Sequence, residues 1–270
     1  MNSSDSEQGD KMKKIATIKN IKVDGKNCSA VVGIVAADNS LFVLTTHAGN
    51  NKTKQPCVLH QYINILNDNK KYTTETKVLY TEKGNHNIAV HANSLAYNNG
   101  SFYVVTRNGK GGAYNQILQF NCNGRITKKY KYDKQNSCIA TLSGKPWHIT
   151  VNGGNKVIMR PITFTDKEVV QAGKEFKLIY DLPDGTVGND IYISRMTDKI
   201  YTTKTEDNMR RNYIYEFDLY THEEVYRHIV NAPKEYSKFE VEGVCREQGR
   251  LFACVNGVKD GVQDDGIWIL

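Results

Sequence analysis

The sequence predicts an all-β fold, a five-bladed β-propeller closed by its N-terminal strand, and three observations support this prediction. A pattern of short apolar strands recurs along the 270 residues. Glycine is common, with 21 residues, and proline is rare, with 5, which suits strands joined by tight turns. One strand at the N-terminus is left over from the repeat, and a ring that uses it to close leaves no open sheet edge.

Each repeat unit is recognised by its second strand, which is apolar. The anchor residues of these strands are 61, 55, 43 and 51 residues apart, so that five units of about 52 residues nearly use up the chain. In chain order the anchors are Leu41, Phe102, Val157, Ile200 and Leu251. The strand before each anchor ends in a turn of Asn, Asp or Gly, which is typical of a hairpin. A β-sandwich, the competing all-β fold, would not explain this repeat.

The chain ends agree with the predicted ring. The fifth unit stops at Leu270 without a fourth strand, and the N-terminal stretch KKIATIKNIKV can supply it. The polar residues 1–12 are expected to form a disordered leader, and residues 13–270 a single propeller domain. The protein is predicted to be cytoplasmic if this N-terminus is the natural one, and secreted if a signal peptide has been removed.

Composition excludes some classes of partner. The chain has no run of 18 apolar residues, so no membrane span is expected. The net charge of +7 comes mostly from lysines in segments such as RITKKYKYDKQN. These lysines are scattered and no nucleic-acid-binding motif accompanies them, so a solvated surface is favoured over a patch for nucleic acid or an anionic polymer. The expected state is a monomer that binds a small molecule, peptide or glycan.

Candidate site residues follow from the repeat, because the first strand of each propeller blade lines the central channel. Counting back nine residues from each anchor, with one extra residue in the longer fourth turn, aligns one position across the five units. That position holds Val32, Asn93, His148, Asp190 and Glu242. Strand alternation adds His91 and Glu240, which are expected to point the same way. Such polar groups round one opening are more typical of a site than of a water-filled channel.

A second predicted ring lies at the far ends of the second strands. It contains Thr46, Arg107, Arg160, Lys204 and Asn256. Its three cations are candidates for binding an anionic ligand, with pairing to surface carboxylates as the alternative. His60, His222 and His228 are expected at the surface, in outer strands or turns.

Two chemistries fit the axial residues. In the first, one divalent metal lies on the axis. Oxygen ligands favour Ca²⁺, whereas ligation by histidine favours Mn²⁺ or Zn²⁺. The candidate metal ligands are Asn93, His148, Asp190 and Glu242. In the second there is no metal, and His91 or His148 acts as a general base with Glu242 or Asp190 as the acid or orienting group.

Two units resemble known propellers. HANSLAYNNGSFYVVT and VEGVCREQGRLFACV resemble blades of helveticin J-type bacterial propellers, the class III bacteriocins. The EGV of the last unit is similar to inner strands of gluconolactonase-type propellers, and this resemblance implies metal binding by Glu242 alone. Five-bladed apyrases similarly hold Ca²⁺ with inner-strand residues. Arabinanase-type glycosidases use three carboxylates near the axis, to which Asp190, Glu240 and Glu242 can be matched, although two of these share one strand.

The sequence therefore predicts an enzyme, a hydrolase or lyase that acts on a small polar substrate at the channel opening. The candidate catalytic residues are His91, His148, Asp190 and Glu242. The candidate ligand-binding residues are Asn93, Glu240, Arg107, Arg160 and Lys204. The alternative is a non-catalytic, bacteriocin-like propeller that recognises a glycan or peptide. Differences between the units at the aligned position favour one unique site and hence the enzyme.

Overall fold

The computed structural model describes residues 9–47, 54–67, 70–89, 91–107, 114–136, 138–142, 145–152, 156–180, 187–194, 196–206 and 208–270. In this part of the chain 23 strands form five sheets. The same residues include no helix of the length and apolarity needed to span a membrane. Residues 1–8 of the expected leader lie outside the described residues.

The five sheets are the blades of a propeller. Blade 1 contains β2 (Ile21–Val23), β3 (Lys26–Ala37), β4 (Ser40–His47), β5 (Cys57–Ile63) and β6 (Thr73–Val78). Blade 2 contains β7 (Ala92–Asn98), β8 (Ser101–Arg107), β9 (Tyr114–Phe120) and β10 (Ile126–Asn136). Blade 3 contains β11 (Cys138–Leu142), β12 (Lys145–Asn152), β13 (Lys156–Phe164), β14 (Val169–Gln171) and β15 (Phe176–Ile179). Blade 4 contains β16 (Val187–Ser194), β17 (Lys199–Thr205), β18 (Arg211–Asp218) and β19 (Glu224–Asn231). Blade 5 contains β20 (Tyr236–Glu247), β21 (Arg250–Lys259), β22 (Val262–Gln263), β23 (Gly266–Ile269) and β1 (Lys13–Thr17).

The N-terminal strand closes the ring, which confirms the predicted architecture. Strand β1 pairs antiparallel with β23 and takes the outer position of blade 5. The Lys14 ammonium group lies 2.6 Å from the Asp264 carboxylate and adds an ion pair to this junction. Before β1, the backbone N–H of Asp10 donates to the carbonyl of Ile229 in β19 at 2.7 Å. The first part of the described chain therefore holds blade 5 together and also contacts blade 4.

Apolar side chains fill the spaces between blades. Phe42 of blade 1 and Phe102 of blade 2 have ring centroids 4.8 Å apart, and both are buried. In blade 5, Phe239 and Trp268 pack edge to face at 5.0 Å. Each fully buried aromatic or aliphatic side chain contributes about 1.5–3 kcal/mol. These contacts fix the blades, and with them the strands that surround the axis.

The innermost strands are β3, β7, β11, β16 and β20, and each contacts the innermost strand of its neighbours. For blade 3 the sequence-based alignment was wrong. The strand that contains Val157 is the third of its blade, and the strand that contains His148 is the second. The inner strand β11 is only five residues long and follows the long strand β10 after one residue, so no turn signal marks its start.

Candidate functional site

The centre of the ring is filled by one carboxyl group and two glycines. Asp190 in β16 is 4% exposed. A Cβ atom added to Gly243 would lie 2.6 Å from Asp190 Oδ2 and 3.1 Å from the Cα atom of Gly33. Only a residue without a side chain permits strands β3, β16 and β20 to approach so closely. Asp190 therefore lies in a cradle between inner strands. The sequence-based alignment had instead expected it to line an open channel.

Hydrogen bonds tie this buried acid to three blades. The backbone N–H of Asp190 donates to Thr203 Oγ1 at 3.1 Å within blade 4. The hydroxyl of Ser94 in blade 2 donates to the carbonyl of Ile139 in blade 3 at 2.9 Å and accepts the Ile139 N–H at 3.2 Å. The same hydroxyl group also bonds to the Asp190 carboxyl group. Asp190 Oδ1 has no hydrogen-bond partner among the described residues. Burial raises the pKa of Asp190 well above its usual range, against the smaller effect of Ser94, so the uncharged acid is favoured.

Strand β20 carries a second group of carboxyl side chains, and this one is partly exposed. Glu240 and Glu242 lie two residues apart on the strand and share a hydrogen bond. The side-chain amide of Asn256 in β21 donates to Glu242 Oε1. Asn256 Oδ1 in turn accepts the backbone N–H of Val31 in blade 1 at 3.0 Å, which fixes the orientation of the amide. Lys238 Nζ lies 2.9 Å from Glu240 Oε2.

This arrangement favours the protonated form of Glu242. Burial and, next, the negative charge of Glu240 raise the pKa of Glu242 well above its usual range, while Asn256 and Lys238 oppose the change. Two ionised carboxylates about 4 Å apart would repel each other by about 4 kcal/mol at an effective dielectric constant of about 20. A shared proton removes this repulsion. Glu240 and Glu242 thus form one hydrogen-bonded unit, here called the Glu pair, in which the protonated form of Glu242 is favoured.

A pocket of about 100 Å³ lies beside the Glu pair, between blades 5 and 1. Its lining includes Lys238, Asn256, Gln263 and Asp265. Asp265 is buried and accepts the Gly257 N–H at 3.0 Å and the Gln263 amide at 2.7 Å. Burial raises the pKa of Asp265 to about 6 in spite of these bonds. The pocket has room for a few water molecules, which can exchange protons with groups at its wall.

The other predicted axial residues are placed differently. Asn93 lies in the inner strand β7, His91 lies just before it, and both are partly buried. The binding and catalytic roles expected for these two residues stay predictions. His148 is opposite Ile139 in the second strand of blade 3, not in an inner strand, because β11 takes the inner position. The side chain of His148 lies outside the described part of the structure.

The predicted ring of cations is not formed as expected. Arg107 ends β8, and its side chain is not described. Arg160 lies in the third strand of blade 3 and pairs with Glu175 at 2.8 Å, because the anchor strand of that unit was misassigned. Lys204 lies near the end of β17 but is 1% exposed, with Nζ 4.3 Å from the centre of the Tyr180 ring. Burial lowers the pKa of Lys204 to about 8.

The predicted metal site finds no support in the described side chains. No three His, Cys, Asp or Glu among them lie close enough to hold a metal ion. Of the candidate ligands, Asp190 is buried against Gly33 and Gly243, and Glu242 accepts the Asn256 amide. These described side chains therefore do not fit a divalent metal on the axis.

Sequence reasoning missed the axial cradle although a signal was present. Gly33, Ser94 and Gly243 all lie eight residues before their anchors, one residue after the aligned position. Inner strands β3, β7 and β20 carry a bulge at this level, where the register with the second strand shifts. A bulge changes which side chains face the axis, so counting by strict alternation identified the neighbouring residues instead.

Comparisons with known proteins support the fold. No family model matches the chain, and no curated protein sequence matches it either. Bacteroides ovatus Xyloglucan PUL GH43B is 13% identical with a TM-score of 0.59, over 95% of this chain and 54% of its own. A GH43 β-xylosidase/α-arabinofuranosidase from a compost microbial metagenome, solved with xylotriose in a calcium-free form, is 7% identical with a TM-score of 0.57, over 96% of this chain and 94% of its own. The exo-β-1,3-galactanase of Phanerochaete chrysosporium, solved with β-1,3-galactotriose, is 8% identical with a TM-score of 0.55, over 95% of this chain and 63% of its own.

The chain is thus an all-β, five-bladed propeller of the architecture found in GH43 glycoside hydrolases. At identities of 7–13% this likeness shows the fold alone. The chain spans about half of the Bacteroides ovatus protein, at 54%, and nearly all of the compost enzyme, at 94%. The more specific resemblance to helveticin J-type and gluconolactonase-type propellers, expected from the sequence, stays a prediction.

Proposed function

We propose that this protein is a glycoside hydrolase that acts on a glycan at the end of the propeller where β20 begins. The observation that carries this proposal is the Glu pair, two partly exposed carboxyl groups that share a hydrogen bond and are held by Lys238 and Asn256. The shared architecture with GH43 enzymes, two of them solved with bound oligosaccharides, supports a glycan as substrate. A glycan thus replaces the small polar substrate expected from the sequence.

The role of the Glu pair follows from its geometry. Glycosidases commonly use two carboxyl groups about 5–5.5 Å apart for retention or about 6.5–9.5 Å apart for inversion. Glu240 and Glu242 are hydrogen-bonded to each other, so they are too close to flank a glycosidic bond as two separate groups. The pair instead acts as one general acid, in which Glu242 donates the proton to the leaving oxygen and Lys238 holds Glu240 in place.

The base that activates water must then be a residue of another blade. His91 lies just before the inner strand of blade 2, and its imidazole is the kind of group that accepts a proton near neutral pH. We assign the base to His91, with Asn93 two residues later as a contact for sugar hydroxyl groups. The predicted catalytic role of Asp190 is not retained, because this carboxyl group is buried between Gly33 and Gly243.

The proposal is tested by incubating the purified full chain with xylo-, arabino- and galacto-oligosaccharides and identifying products by chromatography and mass spectrometry. Glu242→Gln keeps the shape but removes the proton, and should reduce turnover by about 10²- to 10⁴-fold. Glu247→Gln, on the same strand at its other end, is the matched control and should retain activity. Unchanged turnover in Glu242→Gln would exclude the Glu pair as the acid.

One observation favours a second candidate function. This candidate is a non-catalytic, bacteriocin-like propeller that recognises a glycan or peptide. Asp190, one of the three carboxyl groups matched to arabinanase-type enzymes, is buried and cannot reach a sugar. The same oligosaccharides separate the two candidates. Binding in calorimetry without any product, and with equal affinity in Glu242→Gln, would support recognition over hydrolysis.

A further inference from the structure

A groove of about 380 Å³ lies on the outer edge of the ring, away from the axis. It runs between the turn that follows β6, the outer strand of blade 1, and the start of β10, the outer strand of blade 2. Its walls include Thr81, Glu82, Lys83, Thr127, Lys128 and Lys129, and we call it the basic groove. The proposed hydrolytic function does not use this surface.

The floor of the basic groove is fixed by backbone contacts between the two blades. The N–H of Tyr80 donates to the carbonyl of Gly124 at 2.9 Å, and the N–H of Ile126 donates to the carbonyl of Tyr80 at 2.9 Å. Gly124 has a φ of +81°, and a Cβ atom there would lie 2.6 Å from the carbonyl oxygen of Val78. The walls are therefore held in place before any ligand arrives, which lowers the entropic cost of binding.

The positive charge of the groove is not neutralised from within. Glu82, the acidic residue of the walls, already pairs with Arg125 at 2.8 Å. None of the ion pairs found in the described part of the chain involves Lys83, Lys128 or Lys129. Burial lowers the pKa of Lys129, and the positive charge of Lys54 lowers it further because the two ammonium groups repel each other. Three lysines thus face one groove without a counter-charge.

The lining also indicates which polyanion fits. Single-stranded nucleic acids are held by aromatic side chains on which bases stack. The groove walls have none, and the nearby Tyr130 and Tyr132 of β10 are each 4% exposed. Lysine is a point charge with three rotatable donors, which suits the outward oxygens of a sulfate ester. The Thr81 oxygen already accepts the Asn85 N–H at 3.2 Å, and the Thr127 hydroxyl donates to the Gln119 carbonyl at 3.2 Å. The Thr81 proton and the Thr127 oxygen are left to bond to sugar hydroxyls between such esters.

We propose that the basic groove binds a sulfated polysaccharide and holds the propeller on it. Because the groove is on outer strands and the Glu pair is near the axis, this inference stands whether or not the chain hydrolyses glycans. It also revises the expectation that lysines of the segment RITKKYKYDKQN form only a solvated surface.

The test measures binding of dextran sulfate to the full chain by isothermal titration calorimetry, with neutral dextran and single-stranded DNA as comparison ligands. We expect dextran sulfate to bind, with an affinity that falls as salt rises, and to bind more tightly than either comparison ligand. In a triple variant, Lys83→Gln, Lys128→Gln and Lys129→Gln, the affinity for dextran sulfate should fall by about tenfold or more. Circular dichroism should show that the variant remains folded, because all three side chains are exposed.

The matched control changes the same net charge elsewhere. Its substitutions are Lys19→Gln, Lys174→Gln and Lys177→Gln, all at exposed positions. The control should bind dextran sulfate like the unmodified chain. An equal loss in both triple variants would mean that net charge alone attracts the polymer. Tighter binding of DNA, equal binding of neutral dextran, or no binding would each overturn the proposal.

Discussion

Substitution of Gly243 by alanine should destabilise the propeller, because the added methyl group has no room at the axis. Its carbon would lie 2.6 Å from Asp190 Oδ2, 3.1 Å from the Cα atom of Gly33 and 3.2 Å from Cys254 Sγ. The contact with Gly33 involves the backbone of another blade, which cannot move away as a side chain does. Overpacking of this kind costs about 1–3 kcal/mol. For a domain of about this size, the midpoint of unfolding should fall by about 2–12 °C.

Thermal unfolding followed by circular dichroism measures this effect, and a double-mutant cycle shows its cause. In an Asp190→Ala background the shortest contact is gone, so Gly243→Ala should cost less than it does in the unmodified chain. A midpoint of unfolding unchanged by Gly243→Ala would show that the strands are not packed as described. Equal costs in the two backgrounds would show that Asp190 does not fill the cradle.

Three further predictions concern buried charges and ring closure. Burial raises the folded-state pKa of Asp190, so the contribution of this group to stability should be greatest in acid. It should be lost as pH rises from the ordinary carboxyl range towards the folded-state pKa, by up to about 1.4 kcal/mol per pH unit. Asp190→Asn should remove this component in urea titrations at several pH values. Burial lowers the pKa of Lys204 from 10.5 to about 8, so stability should increase as pH rises through that interval, and Lys204→Met should remove the increase. Deleting residues 1–17 removes β1 and exposes the edge of β23, so gel filtration should show association or aggregation, and a monomer of unchanged stability would contradict the role given to β1.

The number of blades and their closure were predictable because both depend on local patterns. A strand recurring about every 52 residues sets the number of blades, and a spare strand at one end sets how the ring closes. Blade 3 was misaligned because β11 has five residues and no turn before it. His60 was expected at the surface of an outer strand, but it is fully buried and bonds to Thr45 at 3.0 Å. Alternation cannot show that both faces of a blade are covered by neighbouring blades.

The candidate site was only partly predictable, because its contacts join residues far apart in the chain. Glu242 and Asn256 were each singled out by alignment, but their hydrogen bond depends on strand register, and Asn256 is fixed by Val31, 225 positions away. Lys238 and Asp265 were missed because the pocket they line exists only where the last blade meets the first. No spacing within one repeat unit encodes such a junction.

The most direct test of the account is the protonation state of the Glu pair, measured by carbon-13 NMR of the side-chain carboxyl groups as pH is varied. We expect one proton to remain on the pair at neutral pH. In Glu240→Gln the pKa of Glu242 should fall towards its usual range, because the charge of Glu240 is one of the causes that raise it. Two independent titrations in the ordinary acid range would contradict the account, since the site would then have no proton to donate.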